Sequence, residues 1–263
     1  MTAAWTTALV TGASSGIGRE IARQLAARGT HIVAVARDEA RLADLAREVA
    51  EARDDVEVEV LPADLADPDQ VATVEARLAD DGARPVDLLV NNAGFGTYGR
   101  FVDLDRDGEE REIRVNVVAL VRLTHAALGP MLARGHGTIL NVSSVAGLQA
   151  TPGNATYGAT KAYVASFSEA VHEELAGTGV TLTAVLPGFT RTEFQQRAGI
   201  EGRDIPGFAW QSVEDCAAEA LAGARAGKAW VVTGRINKVV AAAAGMAPRG
   251  LTRRIAARVS SRL

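Results

Sequence analysis

The sequence predicts an α/β fold, a doubly wound parallel sheet with helices on both faces, built as a single domain. Short β-rich runs alternate with longer Ala-rich helical stretches along the 263 residues. Several of the short runs are continuously apolar, as strands buried on both faces should be. Elements that alternate in this way form right-handed βαβ units. Neither repeats nor low-complexity tracts nor interdomain linkers interrupt the pattern, which favours one domain.

Six strands are expected where short runs of apolar and β-branched residues stand between turn residues. In chain order they are Thr7–Thr11, His31–Ala36, Val56–Pro62, Val86–Asn91, Gly137–Val142 and Val180–Leu186. Five helices are expected where apolar residues recur at helical spacing. They are Gly16–Arg28, Glu39–Ala52, Pro68–Asp80, Glu109–Arg134 and Tyr157–Ala176. Ligands of such sheets bind beyond the carboxyl ends of the strands, so the residues that follow each strand are candidates for a site.

Composition restricts the class of protein. Hydrophobic residues make up 48% of the chain, which is enough for a large core. The one cysteine, Cys216, excludes an internal disulfide framework and fits a reducing cytosol; we interpret it as a small helix residue. The chain runs from Met1 directly into an apolar strand, without the segments of a signal peptide. No run approaches the roughly 18 apolar residues of a membrane span. A cytoplasmic protein is therefore expected.

Charge is distributed unevenly along the chain. The net charge is −4, but the residues from Leu221 onward contain nine basic side chains and no acidic one, which leaves −13 for the first 220 residues. A body this acidic repels nucleic acid, so a nucleic-acid partner is not expected.

A glycine-rich turn, Thr11-Gly12-Ala13-Ser14-Ser15-Gly16-Ile17-Gly18, follows the first strand and opens a helix. Glycines at such a place permit a tight turn, close approach of the backbone to a pyrophosphate and close packing of helix on strand. The helix N-terminus adds unpaired N–H groups and positive potential for the phosphates. The same glycines also suit an ordinary turn, so the interpretation needs support from further along the chain.

That support comes from the spacing of the glycines and from segments that follow the later strands. Together they resemble the short-chain dehydrogenase/reductase family, in the right order, over about residues 5–192. The segments are Asp64-Leu65, Asn91-Asn92-Ala93-Gly94, Asn116, Ser144, Tyr157-Gly158-Ala159-Thr160-Lys161 and Pro187-Gly188-Phe189-Thr190-Arg191-Thr192. The resemblance implies a Rossmann-like domain that transfers a hydride between a nicotinamide cofactor and a carbonyl or alcohol.

The resemblance also implies which residues act. The cofactor-binding set would comprise Gly12, Ser14, Ser15, Gly16, Ile17, Gly18, Asp64, Leu65, Asn91, Ala93, Gly94, Tyr157, Lys161, Pro187, Gly188, Thr190 and Thr192. Ser144 would hold the substrate oxygen and stabilise charge developing there. Asn116 would position a water in a proton relay to Lys161. Ser143 is the rival of Ser144, but the family's spacing to the tyrosine favours Ser144 and leaves Ser143 structural.

Tyr157 and Lys161 form the pair on which the chemistry depends. Positions i and i+4 share a helix face. A free tyrosine has a pKa of about 10, too high for a general base at neutral pH, and an ammonium about 4 Å away lowers it by up to about three units. The chain contains three lysines against 25 arginines, so a merely structural cation would more often have been arginine. The alternative is a buried tyrosine beside a solvated lysine.

Cofactor preference is predicted from the end of the second strand, Val35-Ala36-Arg37-Asp38. NAD-specific proteins carry an acid there for the ribose 2′-hydroxyl. Here an alanine stands in that place and an arginine follows, which suits the 2′-phosphate of NADP(H). Ser14 and Ser15 add hydroxyl groups nearby. Asp38 is interpreted as the N-cap of the next helix. The alternative is an ordinary surface arginine.

The substrate is expected to be apolar or mixed, because aromatic and polar residues fall in loops that should line the pocket. They are Phe95, Tyr98, Leu148, Gln149, Phe194, Phe208 and Trp210. None of the four histidines has metal-ligand spacing, so no metal is expected. A non-catalytic NADP(H)-binding sensor or interaction protein is the alternative function, and the complete set of four relay residues argues against it.

The C-terminus departs from the family's usual pattern. We expect residues 1–234 to form the NADP-binding catalytic domain and residues 235–263 a basic extension that is helical. From Gly250 a helix would place an apolar stripe beside arginines: Leu251, Ile255, Val259 and Leu263 beside Arg254, Arg258 and Arg262. We favour docking on the acidic body of the same subunit or of a partner in a homo-oligomer, a dimer or tetramer. Peripheral contact with an anionic membrane and a frayed tail are the alternatives.

Overall fold

Seven parallel strands form one sheet in the computed structural model, which describes residues 5–194, 207 and 210–246. The strands are β1 (Thr7–Thr11), β2 (His31–Ala36), β3 (Val58–Pro62), β4 (Leu88–Asn91), β5 (Gly137–Val142), β6 (Val180–Leu186) and β7 (Trp230–Val232). Their order across the sheet is β3-β2-β1-β4-β5-β6-β7, and every pair is parallel. The predicted doubly wound sheet is therefore confirmed. Because the order reverses between β1 and β4, a crevice opens there at the carboxyl ends.

Helices cover both faces of the sheet. They are α1 (Gly16–Ala26), α2 (Glu39–Ala52), α3 (Pro68–Ala79), α4 (Arg106–Ile113), α5 (Leu120–Arg134), α6 (Ala155–Glu174), α7 (Val213–Arg225) and α8 (Arg235–Met246). The sequence interpretation missed α7, whose alanines and glycine carry little apolar periodicity. The start of the predicted C-terminal extension is helical as α8, while the stripe from Gly250 lies outside the described residues.

Successive side chains of the strands pack alternately into two separate hydrophobic cores, one on each face of the sheet. In β1, Ala8 and Val10 pack into one core while Leu9 packs into the other, and all three are fully buried. The first core is completed by α1, α2 and α7, and the second by α3 and α5. Burial on both faces explains why these strands are continuously apolar in sequence.

Local signals in the sequence set several helix ends. The side chain of Asp38 accepts a hydrogen bond from the N–H of Arg41 and caps α2, as predicted. Asp67 caps α3 with Pro68 in its first turn, and Ser212 caps α7. A left-handed glycine, Gly135 at φ 71°, ends α5.

The predicted single helix Glu109–Arg134 is instead three segments. Between α4 and α5 the chain forms a π-helix over Arg114–Ala119. Bulges of this kind are frequent at functional sites. The whole run Arg106–Arg134 is long and apolar enough, by length and composition, to cross a membrane, a signal that core helices also give. In this fold Leu123, Ala127 and Met131 of α5 are buried against the sheet, so this face of the run belongs to the core.

Candidate active site

A cavity of about 900 Å³ lies at the carboxyl ends of the strands, across the point where the strand order reverses. Seventeen of the residues predicted for the site line it: Gly12, Ser14, Ser15, Gly16, Ile17, Arg37, Asp64, Leu65, Ala93, Gly94, Ser144, Tyr157, Lys161, Pro187, Gly188, Thr190 and Thr192. Gly18, Asn91 and Asn116 do not line it. Segments far apart in sequence therefore meet around one cavity.

The glycine-rich turn presents an open helix end to this cavity. Gly12 and Gly16 have φ of 68° and 55°, a region that favours glycine. Ser15, the N-cap of α1, makes no side-chain capping bond, and no acid stands in the first turn. The first N–H groups of α1 are thus left for an anion. Gly18 has the packing role predicted for the third glycine, because a Cβ there would lie 2.5 Å from the carbonyl oxygen of Gly12.

A cross-link between the ends of β1 and β4 was not foreseen from the sequence. The buried hydroxyl of Thr11 accepts hydrogen bonds from the N–H groups of Asn92 (2.9 Å) and Ala93 (3.0 Å). The side-chain amide of Asn92 donates to the carbonyl of Thr11 at 2.9 Å. Asn91, predicted to contact the cofactor, points into the core instead and donates to Asn141 at 2.9 Å. A one-residue step along a strand reverses the face, which explains the difference.

Arg37 stands at the rim of the cavity with an exposed side chain. Within the described part of the chain its guanidinium makes no hydrogen bond or ion pair, so it is available to an anion. Asp64 lies across from it and contacts Arg111, with 2.5 Å between Oδ2 and Nη2. Burial alone would raise the pKa of Asp64, but the N–H of Ala66 and the guanidinium of Arg111 together lower it.

Ser144 and Tyr157 form the wall of the cavity opposite the glycine-rich turn. Burial raises the pKa of Tyr157 to about 12, and a hydrogen bond with Ser144 offsets this only in part. Ser144 also accepts a hydrogen bond from the N–H of Ala146 at 3.1 Å, which fixes its side chain. The hydroxyl of Ser143 donates to the carbonyl of Lys161 at 2.6 Å, which agrees with the structural role predicted for it.

The arrangement of Lys161 differs from the sequence expectation. Lys161 is 5% exposed, and its ammonium lies 5.6 Å from the centroid of the Tyr157 ring and donates to the carbonyl of Val142 at 2.8 Å. Burial lowers the pKa of Lys161 to about 8. The predicted lowering of the Tyr157 pKa by this cation is wrong for the protein without ligand. Desolvation dominates the pKa of both groups, and Lys161 is not among the causes of the Tyr157 shift.

Asn116 sits behind the cavity wall, within the π-helix. Its side chain accepts from the N–H of Phe95 at 3.1 Å and donates to the Phe95 carbonyl at 2.9 Å and to Thr160 at 3.1 Å. Only Gly94 separates it from Lys161, since a Cβ on Gly94 would lie 2.9 Å from Asn116 Oδ1 and 3.4 Å from Lys161 Nζ. This glycine therefore allows the amide and the ammonium to approach each other.

The sequence interpretation missed a buried acid beside these residues. Glu112 of α4 is completely buried and accepts hydrogen bonds from the N–H (3.0 Å) and hydroxyl (3.2 Å) of Thr97. Burial raises its pKa to about 7. Glu109 is 7% exposed and bonds the hydroxyls of Thr97 and Thr156. The spacing of the two acids before Asn116, at i−7 and i−4, was the signal available, because it puts all three on one helix face.

The outer part of the cavity is largely aromatic. Four of the predicted substrate residues line it, namely Phe95, Tyr98, Gln149 and Phe194. Leu148 and Trp210 do not, and Phe208 lies outside the described residues. Phe194 contacts Tyr157, with 5.4 Å between ring centroids. Phe189 and Ile236 also line the cavity and were not predicted. Across the described ranges, no group of three His, Cys, Asp or Glu side chains could hold a metal ion.

Comparison with known proteins gives one consistent family. The model of the short chain dehydrogenase family matches residues 6–201. A short-chain dehydrogenase from Sphingobium yanoikuyae in complex with NADPH is 41% identical, with a TM-score of 0.81 over 86% of this chain and 87% of its own. The bulky-bulky ketone specific alcohol dehydrogenase from Comamonas testosteroni is 33% identical, with a TM-score of 0.78 over 93% and 94%. Sulfoacetaldehyde reductase 2 of Chromohalobacter salexigens is 39% identical over 71% of this chain and 73% of its own length.

Proposed function

This chain belongs to the short-chain dehydrogenase family, and we propose that it transfers a hydride between NADP(H) and bulky, largely apolar ketones or the matching alcohols. It is an oxidoreductase that acts on carbonyl or alcohol groups with a nicotinamide cofactor. The observation that carries the proposal is the meeting of Ser144, Tyr157 and Lys161 on one wall of the cavity, opposite the open end of α1. The alternative of a non-catalytic sensor is not favoured by relatives named for their reactions.

The mechanism assigns one role to each of these side chains. The nicotinamide, when bound, supplies or accepts the hydride at the substrate carbon. In reduction the Tyr157 hydroxyl donates its proton to the substrate oxygen, while the Ser144 hydroxyl donates a hydrogen bond that stabilises charge on that oxygen. The Lys161 ammonium favours the phenolate that is left. Asn116, held by Phe95 and Thr160, is a positioning residue behind them.

Two features of the cavity support NADP(H) as the cofactor: the N-terminus of α1 and the side chain of Arg37. The unpaired N–H groups of α1 suit a pyrophosphate, and Gly16 lets it approach the backbone. Arg37, whose guanidinium makes no hydrogen bond or salt bridge among the described residues and which follows Ala36 in place of an acid, suits a 2′-phosphate. The relative from Sphingobium yanoikuyae, whose structure contains NADPH, supports the same choice.

A bulky apolar substrate is supported by the lining of the outer cavity. Phe95, Tyr98, Phe189 and Phe194 offer aromatic surface beside Tyr157, and Gln149 offers a polar contact. The relative from Comamonas testosteroni is a bulky-bulky ketone specific alcohol dehydrogenase. We expect a panel of ketones and aldehydes, followed by NADPH absorbance, to show the highest kcat/KM for aryl or polycyclic ketones. Turnover of none of them by wild type, or of short aliphatic aldehydes alone, would contradict the proposal.

A cytoplasmic homo-oligomer is the assembly that we propose, with the segment 235–263 as an extension of a catalytic unit 1–234. Two exposed apolar side chains lie on helices: Val118 of the π-helix that precedes α5 is 47% exposed, and Tyr163 of α6 is 46% exposed. Tyr163 also stacks on Phe167, with ring centroids 6.0 Å apart. A second copy of the chain would cover these side chains. Tyr163→Glu should then halve the mass measured by light scattering, and a wild-type monomer would exclude the assembly.

A further inference from the structure

A pair of buried acids stands directly behind the site, on the side away from the cavity. Helix α4 presents Glu109 and Glu112 on the face that also carries Asn116 one turn later. The chain segment 94–97 separates this face from α6. Both acids are held by its last residue, Thr97, and Glu109 is held by Thr156 of α6 as well. The acids therefore connect α4 to the helix that carries the tyrosine and the lysine.

The hydrogen bonds around the pair provide too few protons for two carboxylates. The Thr97 hydroxyl contacts both acids but has one hydrogen to donate. The second oxygen of Glu112, Oε1, is buried and has no hydrogen-bond partner. A buried ionised carboxylate with an unsatisfied oxygen is costly. The pair thus resists carrying two charges, and burial raises the pKa of Glu112.

The charges that face Glu112 come from two helices. Glu109 lies on the same helix as Glu112 and disfavours the ionisation of Glu112. The negative charge of Glu112 in turn raises the pKa of Tyr157. Lys161 of α6 attracts it, and Glu112 in turn raises the pKa of Lys161 against the effect of burial. The segment 94–97 contributes no ionisable group. Lys161 is therefore the one cation that balances Glu112 here within the part of the chain that the structure describes.

We propose that Glu112 is a positioning residue that keeps Lys161 in its ammonium form. The inference rests on the proposed function, because the ammonium matters to the Tyr157 proton and to cofactor binding. Removal of the Glu112 charge leaves a buried lysine without its counter-charge. Lys161 then loses its proton at lower pH.

The decisive variant is Glu112→Gln, which keeps the shape and removes the charge. We expect the alkaline limb of the kcat profile for ketone reduction to move to lower pH by about one unit, which corresponds to about 1.4 kcal/mol of lost interaction. Glu112→Asp keeps the charge, so its alkaline limb should stay close to that of wild type. Glu110→Gln is the matched control, since Glu110 lies on the exposed face of the same helix and pairs with Arg114. An alkaline limb that is the same in Glu112→Gln and Glu110→Gln would overturn the proposal.

A second readout separates this inference from the proposed reaction. NADPH affinity, measured by fluorescence without substrate, should fall with rising pH as Lys161 loses its charge, and Glu112→Gln should move that fall by the same amount. If no ketone is turned over by wild type, the proposed reaction fails while this titration still decides the role of Glu112. If Glu112→Gln does not fold, Thr97→Val, which removes one hydrogen bond from Glu112, should shift the titration in the same direction by less. An unshifted titration in a folded variant refutes the inference.

Discussion

The burial of Glu112 should make the stability of the ligand-free protein depend on pH in a defined direction. The pKa of its carboxyl group is 4.5 in an ordinary environment and about 7 in the folded chain. Because the folded value is the higher one, the folded state is favoured fully below about pH 4.5, and this contribution is lost as the pH rises through about 7. A difference of that size in pKa corresponds to about 3 kcal/mol of unfolding free energy.

Glu112→Gln removes the ionisable carboxyl group, so the variant does not lose this stability as the pH rises. We expect the free energy of unfolding of the variant, minus that of wild type, to rise by about 3 kcal/mol between about pH 4.5 and 8. Urea denaturation of the cofactor-free proteins at a series of pH values measures it. Glu110→Gln, whose carboxylate is 60% exposed, should give a difference that is nearly flat with pH. Parallel pH curves for wild type and Glu112→Gln would show that Glu112 ionises as freely in the folded chain as in the unfolded one, and would refute the reasoning.

Three further predictions concern the cofactor, the proton donor and the glycine between relay residues. NADPH should bind at least about tenfold tighter than NADH, or about 1.4 kcal/mol, and Arg37→Asp should narrow or invert that gap in fluorescence titrations; equal wild-type affinities would contradict it. Tyr157→Phe should lower turnover at least about a hundredfold while NADPH still binds, whereas Lys161→Ala should damage both; a phenylalanine variant that keeps most turnover would exclude the mechanism. Gly94→Ala puts a methyl group 2.9 Å from a side-chain amide oxygen and should lower turnover, unlike Gly129→Ala, whose Cβ meets nothing within 4 Å; equal rates in the two would disprove the close approach.

The strands and the approximate site were predictable because each depends on local signals. β1, β2, β5 and β6 begin and end where the sequence indicates, since residues buried on both faces leave continuous apolar runs. Turn glycines and capping acids mark the segments that reach the cavity. The strands and the cavity segments that were predicted from short-range pattern were therefore of the right type and close to their observed positions.

Features that depend on tertiary surroundings were not predictable in the same way. The π-helix around Asn116 leaves no mark in apolar periodicity, so a single helix was expected. The pKa of Tyr157 depends on desolvation and on the hydrogen bond with Ser144, neither of which a spacing of four residues reveals. In the sequence Glu112 is one of several charged residues at the start of a helix, and only the fold shows that it is buried.

The hydrogen bonds of Thr11 and Asn92 have a consequence for how fast and how tightly a ligand binds. They join the ends of β1 and β4, the strands between which the order reverses, so part-buried bonds of 2.9–3.0 Å hold the floor of the crevice in place. A ligand that enters meets a cleft already at its final width, and little backbone entropy is lost on association. Loss of the Thr11 hydroxyl would loosen the ends of β1 and β4 where they meet the cavity, while the pairing of the two strands stays intact. Its first effect would be a slower, weaker capture of the cofactor in a protein whose secondary structure is unchanged.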